Sequence, residues 1–417
     1  MKRFLRRLYL AAITGAIVTL AAAQRLARPR SHPYRPHDVR RILVLRLGLL
    51  GDGTALLTPA LRVLRESFPD AEVHVIATPL QRPLLEPLPF VDQVLTWSAG
   101  DLLEPRQAVR PGAWRAAFAA VRELRRQRYD LAVSCYGGLA SAIALLSGAR
   151  HRFGYAGEGL PATLSHTLPG RRYDRPWHEA DYSVALAQAA AAGREPLALD
   201  IGGPAGFGPP LDLVVTPDAR AAAAALLEAP LRPTIGPRPI STTGTRHMVA
   251  LHPGATNGLA KRWPVAYWAD VASRLVDDGA TIVLVGGPET RRLADEIKTR
   301  SGRTIVDLVG KTSVLELLAV LERASVVVSG DSGPLHLAVA LHCPTVGIFG
   351  PTDPRISGPY QAPNAVVVRH DLPCSPCYRL DRVADCPLGH TLCQRLITPN
   401  AVYHAVRATL EHVAGSR

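Results

Sequence analysis

From Arg41 onward the chain alternates short β-branched runs with Ala- and Leu-rich stretches of helical period, and it does so in two successive series. That alternation marks βαβ units, because a parallel strand needs a crossover before its neighbour can lie beside it. In the first series Ile42–Leu45, Val73–Ala77, Val91–Leu95 and Leu131–Cys135 read as strands, with helices over Thr54–Phe68, Trp114–Gln127 and His178–Ala192. In the second, Val249–His252, Thr281–Val285, Thr304–Leu308, Val326–Ser329 and Thr345–Phe349 read as strands. Helices over Val265–Asp278, Glu289–Ser301, Ser313–Arg323 and Pro334–Leu341 fill the gaps between them. Only 6% of the chain is aromatic against 47% hydrophobic, so Ala, Val and Leu carry the apolar mass, as in strands buried between helix layers. The pattern predicts an α/β protein of two facing, doubly wound, Rossmann-like domains, and 417 residues exceed what one such core usually fills.

Gly and Pro crowd the stretch between the two series, with one Ala-rich helix (Asp218–Leu227) inside it, and regular structure fails at such density. The expected organisation is a basic and apolar leader (1–39), a first domain (40–205) and an interdomain region (206–247). A second domain (248–400) and a C-terminal helix (401–417) follow. The formal charge of +13 is concentrated at one end. Residues 1–41 hold ten Lys or Arg against Asp38 alone, for +9, while the remaining 38 basic and 34 acidic residues leave only +4. A balanced body with a basic arm argues for an anionic membrane surface and against nucleic acid. Leu8–Gln24 carries no charge; as a helix it would be roughly 25 Å long, short of a hydrocarbon core of roughly 30 Å. A cleaved signal, a short spanning anchor and a helix lying in the interface are all consistent with it. Arg25, Arg28, Arg30 and Arg35 follow at once, and so dense a cluster resists translocation, which favours a retained segment facing the cytoplasm.

Ligands of doubly wound sheets sit beyond the carboxyl ends of the strands, so the residues just after strands deserve the closest reading. The first strand runs into Arg46-Leu-Gly48-Leu-Leu-Gly51-Asp52-Gly53. Gly48 and Gly51 let backbone amides approach a ligand closely. Asp52 is either a helix cap or a general base that takes the proton of an attacking hydroxyl. The second series opens with His252-Pro-Gly-Ala-Thr256-Asn-Gly-Leu-Ala-Lys261-Arg-Trp263-Pro264, in which Thr256 offers a hydroxyl and Lys261 a point charge suited to a diphosphate. Trp263 reads as a packing wedge. Further on, Ser329-Gly-Asp331-Ser332-Gly333-Pro-Leu-His336 follows a buried strand and begins a helix whose positive end suits a phosphate without a divalent metal. His336 is either a satisfied core histidine or a phosphate donor. No Asp-x-Asp pair occurs in the chain, which weakens a metal-bound nucleotide-sugar mechanism.

Taken together, Gly51-Asp52, Lys261-Arg-Trp-Pro264, Asp331-Ser-Gly-Pro-Leu-His336 and Phe349-Gly-Pro-Thr-Asp-Pro354 resemble the pattern of glycosyltransferase family 9, the lipopolysaccharide heptosyltransferases. The match spans about residues 40 to 413. The resemblance implies a GT-B architecture and inverting, metal-independent transfer of a sugar, ADP-heptose serving as donor in the best-known members, to a lipopolysaccharide-like or lipid-linked acceptor. It implies Asp52 as the catalytic base. Thr256, Lys261, Asp331, Ser332, Gly333 and His336 would form the donor diphosphate site, and Glu316 would reach toward the ribose or base. The place of action would be the cytoplasmic face of the inner membrane.

Cys374, Cys377, Cys386 and Cys393 stand at C-x2-C-x8-C-x6-C spacing within the loop 374–393. In a reducing compartment such clustering suggests structural zinc, with free thiols or disulfides as the alternatives. Cys135 and Cys343 sit in apolar runs and read as core. Two other readings of the whole chain compete with the transferase: a nucleotide-sugar epimerase on the same plan, and a non-catalytic nucleotide-sugar-binding scaffold.

Overall fold

The computed structural model describes residues 2–27, 33–51, 53–97, 110–171, 174–193, 206–228, 247–255, 258–378 and 385–415. The chain divides into two compact units, Met1–Pro209 and Pro210–Arg417. The boundary falls inside the Gly/Pro-rich stretch. Helix Pro217–Glu228, expected between the domains, packs on helix Val314–Glu322 of the second unit, and Arg220 makes a two-pronged contact with Glu322 at 2.7 and 2.8 Å.

The first unit holds six parallel strands: β1 (Arg41–Leu45), β2 (Glu72–Ala77), β3 (Gln93–Thr96), β4 (Leu131–Ser134), β5 (His151–Tyr155) and β6 (His166–Leu168). The second holds β7 (Met248–His252), β8 (Thr281–Leu284), β9 (Val306–Asp307), β10 (Val326–Gly330), β11 (Thr345–Phe349) and β12 (Ala365–Arg369). Their spatial orders are β3-β2-β1-β4-β5-β6 and β12-β11-β10-β7-β8-β9, the same doubly wound order in each unit. The central strands are buried on both faces, with Ile42, Leu43, Val44 and Leu45 at 0% exposure and Val326, Val327 and Val328 likewise. At about 25 cal/mol per Å² of apolar surface removed from water, such strands supply most of the drive to fold.

Every strand read from the sequence is present, with ends shifted by a few residues. The strands β5, β6 and β12 were not expected, nor were helix Gly137–Leu146 and the four-residue helices Arg82–Leu85, Pro354–Ser357 and Leu392–Arg395. Helix Gly137–Leu146 is a short apolar run whose period does not separate helix from strand. β5 and β6 are joined through a single 3-10 turn, Pro161–Thr163, and β11 and β12 through the four-residue helix Pro354–Ser357. Neither crossover has the long helix by which βαβ units are recognised.

The N-terminal segment forms one helix, Lys2–Ala27, which packs against the turn Pro161–Thr163 with Ala21 buried. Val18 and Leu20 are exposed on it. Among the described residues no helix is long and apolar enough to cross a membrane.

Candidate active site

In each sheet the first and fourth strands are neighbours, β1 beside β4 and β7 beside β10. Connections leave such a pair toward opposite faces, which opens a crevice at the carboxyl ends of the strands. The loops after β1, β7 and β10 are those singled out in the sequence.

In the second unit β7 ends at His252, and the chain reaches a 3-10 turn, Leu259–Lys261, before helix Val265–Asp277. Trp263 pins this loop. It is 4% exposed, its indole N–H donates to the Ile397 carbonyl at 2.8 Å, and it meets Trp268 edge-on at 5.2 Å. The Lys261 ammonium lies 3.0 Å from Asp331 Oδ2, both side chains nearly buried. Asp331 occupies the sharp turn between β10 and helix Gly333–Ala340, where His336 brings Nε2 to 3.8 Å from Asp331 Oδ1. The Ser357 hydroxyl donates to Asp331 Oδ2 at 3.3 Å, and Thr352 adds a further side-chain hydrogen bond. Burial alone would raise the Asp331 carboxyl, but the charges of Lys261 and His336 and the hydrogen bonds from Lys261 and Thr352 outweigh it and hold it below the ordinary carboxylate range. Ser332 shares a hydroxyl hydrogen bond with Ser329 at 2.8 Å.

A buried ion pair of this kind is a poor device for stability, since desolvation offsets most of the attraction. Its use lies in orientation. Asp331 holds Lys261 and brings His336 close beside the N-terminal end of helix Gly333–Ala340, the positive end of its dipole. Glu316 is placed differently. It completes a capping box on helix Val314–Glu322, accepting the Ser313 backbone N–H at 2.6 Å while its own N–H donates to Ser313 Oγ at 3.2 Å. Thr256 lies outside the described residues.

In the first unit the loop after β1 is braced rather than charged. Gln81 donates from Nε2 to the carbonyls of Gly48 at 2.9 Å and Leu49 at 3.1 Å, while its Oε1 accepts the Thr78 N–H at 3.0 Å. A Cβ on Gly53 would lie 2.0 Å from that Nε2, so a side chain there would displace the Gln81 amide. Arg46, 2% exposed, pairs with Glu179 at 3.4 Å and also bonds the Glu179 carbonyl and Ser183. That set ties the end of β1 to helix Glu179–Ala192. Asp52 lies outside the described residues, but the cap position of the following 3-10 turn, Ala55–Leu57, is Thr54. Sequence reasoning passed over Gln81 and Glu179, because their roles depend on long-range pairing that no local pattern carries.

The sequence profile described as "Glycosyltransferase family 9 (heptosyltransferase)" matches residues 117–387. The chain belongs to this family. It is 28% identical over 338 residues to lipooligosaccharide heptosyltransferase 2 of Haemophilus ducreyi, covering 79% of this chain and 88% of that one. Among solved structures, a family 9 glycosyl transferase from Veillonella parvula superposes with a TM-score of 0.72 at 21% identity, over 89% of this chain and 98% of the other. The E. coli ADP-heptose lipopolysaccharide heptosyltransferase II gives 0.65 at 23%, over 89% and 99%. These likenesses agree with the two-domain α/β plan of the GT-B class, and membership makes the protein a glycosyltransferase.

None of the four cysteines at 374–393 of this family 9 chain is joined in a disulfide. Burial raises the Cys393 thiol to about 11, reinforced by the neighbouring thiols. Cys386 moves the other way: backbone N–H groups, that of Thr391 foremost, point at its sulfur and lower it. Among the described residues no three Cys, His, Asp or Glu side chains are arranged to hold a metal ion, so the geometry lends the expected zinc site no support. Cys135 and Cys343 are buried, as expected of core residues.

Proposed function

We propose that the protein transfers a heptose from ADP-heptose to a lipopolysaccharide-like acceptor, with inversion at the anomeric carbon and without a catalytic metal. The observation that carries this reading is the buried Lys261–Asp331–His336 cluster at the carboxyl ends of β7 and β10, in a chain whose relatives are named as heptosyltransferases. Lys261, the helix end at Ser332 and Gly333, and His336 receive the donor diphosphate and stabilise the negative charge that grows on it as the glycosidic bond breaks. Thr256 adds a hydroxyl. The charge complement is supplied by the protein, so no divalent ion is needed to neutralise the leaving group. Asp52, following β1 in a loop held by Gln81 and Arg46, takes the proton from the acceptor hydroxyl as it attacks.

The test is direct. The full chain is incubated with ADP-heptose, and with other nucleotide sugars, together with a heptose-deficient lipopolysaccharide core, with and without EDTA. ADP release and a matching gain in acceptor mass, unaffected by EDTA, are expected. Transfer from another nucleotide sugar alone would discard the heptose assignment, and loss of turnover in EDTA would discard metal independence.

We also propose that helix Lys2–Ala27 lies along the cytoplasmic face of the inner membrane. Its exposed Val18 and Leu20, its charge-free centre and the flanking +9 charge support an interfacial position. Removal of residues 1–40 is expected to release the protein into the soluble fraction; full retention on membranes would end the idea.

A further inference from the structure

The cysteine-rich segment gains a role once its contacts to the loops of the second sheet are followed one by one. Ser375 Oγ donates to the Gly350 carbonyl at 2.6 Å, and the backbone N–H groups of Cys377 and Tyr378 both donate to the Pro351 carbonyl at 2.9 Å. These bonds seat the segment on the loop after β11. From there the Tyr378 ring places its centroid 4.9 Å from the Lys261 ammonium. Gln394, at the far end of the segment and 1% exposed, donates from Nε2 to the Lys261 backbone carbonyl at 2.9 Å. Its amide is packed so closely on Gly350 that a Cβ there would lie 2.6 Å from Nε2. One residue of the segment therefore holds the backbone of Lys261, and another faces its charge.

We propose that Tyr378 and Gln394 are positioning residues of the donor site, which fix Lys261 for a nucleoside diphosphate. The inference rests on the assignment of Lys261 to the donor diphosphate made above. A lysine side chain carries a flexible four-carbon stem, and the freedom it loses on gripping a ligand subtracts from affinity. An aromatic face within about 6 Å attracts an ammonium, most strongly where water is excluded. Tyr378 and Asp331 bracket the Lys261 charge, and Gln394 prevents the backbone beneath it from shifting. That gives Tyr378 and Gln394 a function at the donor site, with the chain at Ser375–Tyr378 fastened to the loop after β11.

The experiment is a double-mutant cycle read by calorimetric titration of the full chain with ADP and with inorganic pyrophosphate, with melting temperatures to establish that each variant is folded. Tyr378→Leu is expected to weaken both ligands roughly three- to tenfold. Tyr378→Phe, which keeps the ring, recovers most of the loss. Gln394→Leu weakens both ligands as well. In a Lys261→Ala background neither Tyr378→Leu nor Gln394→Leu has a further effect, because the group they position is gone. A packing role alone would give the same loss with and without Lys261, and that result overturns the inference. So does parent affinity in Tyr378→Leu, or failure of Tyr378→Phe to recover it. Should Lys261→Ala itself bind ADP and pyrophosphate like the parent, the donor-site assignment of Lys261 fails first. Should Lys261→Ala weaken binding while the Tyr378 and Gln394 variants do not, only the positioning role fails. If Gln394→Leu does not fold, the Tyr378 pair decides alone.

Discussion

The two units share one strand order and differ in how the loop after the first strand is held. After β7 the loop is fixed by a buried indole and ends in a buried charge pair, Lys261 with Asp331. After β1 it is held by neutral backbone contacts from Gln81 and by an Arg46–Glu179 pair tucked behind it. The same topology therefore presents a preorganised cation in one unit and a tightly folded, glycine-lined loop in the other. The lesson is that the doubly wound plan supplies only the place, the crevice at the switch point. The side chains that the loops deliver there differ: in the second unit a buried Lys261–Asp331 pair, in the first a loop braced by Gln81, on which the proposed mechanism places its base.

The largest expected effect breaks or confirms that division. Asp52→Asn keeps size and hydrogen-bonding shape but removes the proton acceptor, so turnover is expected to fall by ~10² to 10⁴ with ADP affinity at the parent value. Asn caps a helix about as well as Asp, so a large cost in stability is not expected. Assay with ADP-heptose and acceptor, beside calorimetry with ADP, separates the two quantities. Turnover within a few-fold of the parent would leave the first unit without a base and the comparison without its catalytic half.

A smaller effect concerns the brace itself. Gly53→Ala puts a methyl group 2.0 Å from Gln81 Nε2 and 3.1 Å from the Arg46 carbonyl oxygen. Gln81 must swing away and release the carbonyls of Gly48 and Leu49, two hydrogen bonds of about 1 kcal/mol each. A loss of roughly 1–3 kcal/mol in stability is expected from thermal or denaturant unfolding. Gly53→Ala combined with Gln81→Ala should cost less than the two changes summed, because the clash and the bonds involve the same amide. Simple additivity would show that Gln81 does not brace the loop.

How much of this was legible in advance follows the range of the interactions. Nine of the twelve strands and the turns that carry Lys261, Asp331 and His336 were visible because burial period and strand-to-helix turns are local properties. The crossovers to β6 and β12 were not, since each replaces the expected helix with a single short turn. Nor was the engagement of Glu316 in a capping box with Ser313, although Ser-x-x-Glu before an apolar run is the usual sign of one. The roles of Gln81, Glu179, Tyr378 and Gln394 arise from contacts across many residues, as with the 133 residues that separate Gln394 from Lys261. No window along the sequence reports such contacts.

The smallest expected effect uses acidity to tell the units apart. In the first, His166 Nε2 lies 3.3 Å from His151 Nδ1 with the rings stacked at 5.4 Å, and Tyr34 and Phe153 pack around them. Burial, then the neighbouring His151 and Arg152, lower His166 from 6.5 to about 4. The unfolded chain therefore takes up a proton between pH 6.5 and 4 that the folded unit refuses. Stability is fully present above about pH 6.5, falls as the pH drops toward 4, and levels off below. Discounted for the solvent that reaches a partly exposed ring, the loss is about 1–2 kcal/mol. In the second unit Asp307, held by Arg291 and Lys298 against the opposing effect of burial, is lowered to about 2. Its contribution is intact above about pH 4 and is lost only as the pH falls toward 2. His252 in the same unit is also lowered, by burial, so the units are distinguished by substitution rather than by the parent curve alone. His166→Asn should flatten the calorimetric decline between pH 6.5 and 4 while leaving the decline below pH 4 in place. An unchanged slope above pH 4 would mean that His166 is not the group resisting protonation, and that the acid response of the first unit lies elsewhere.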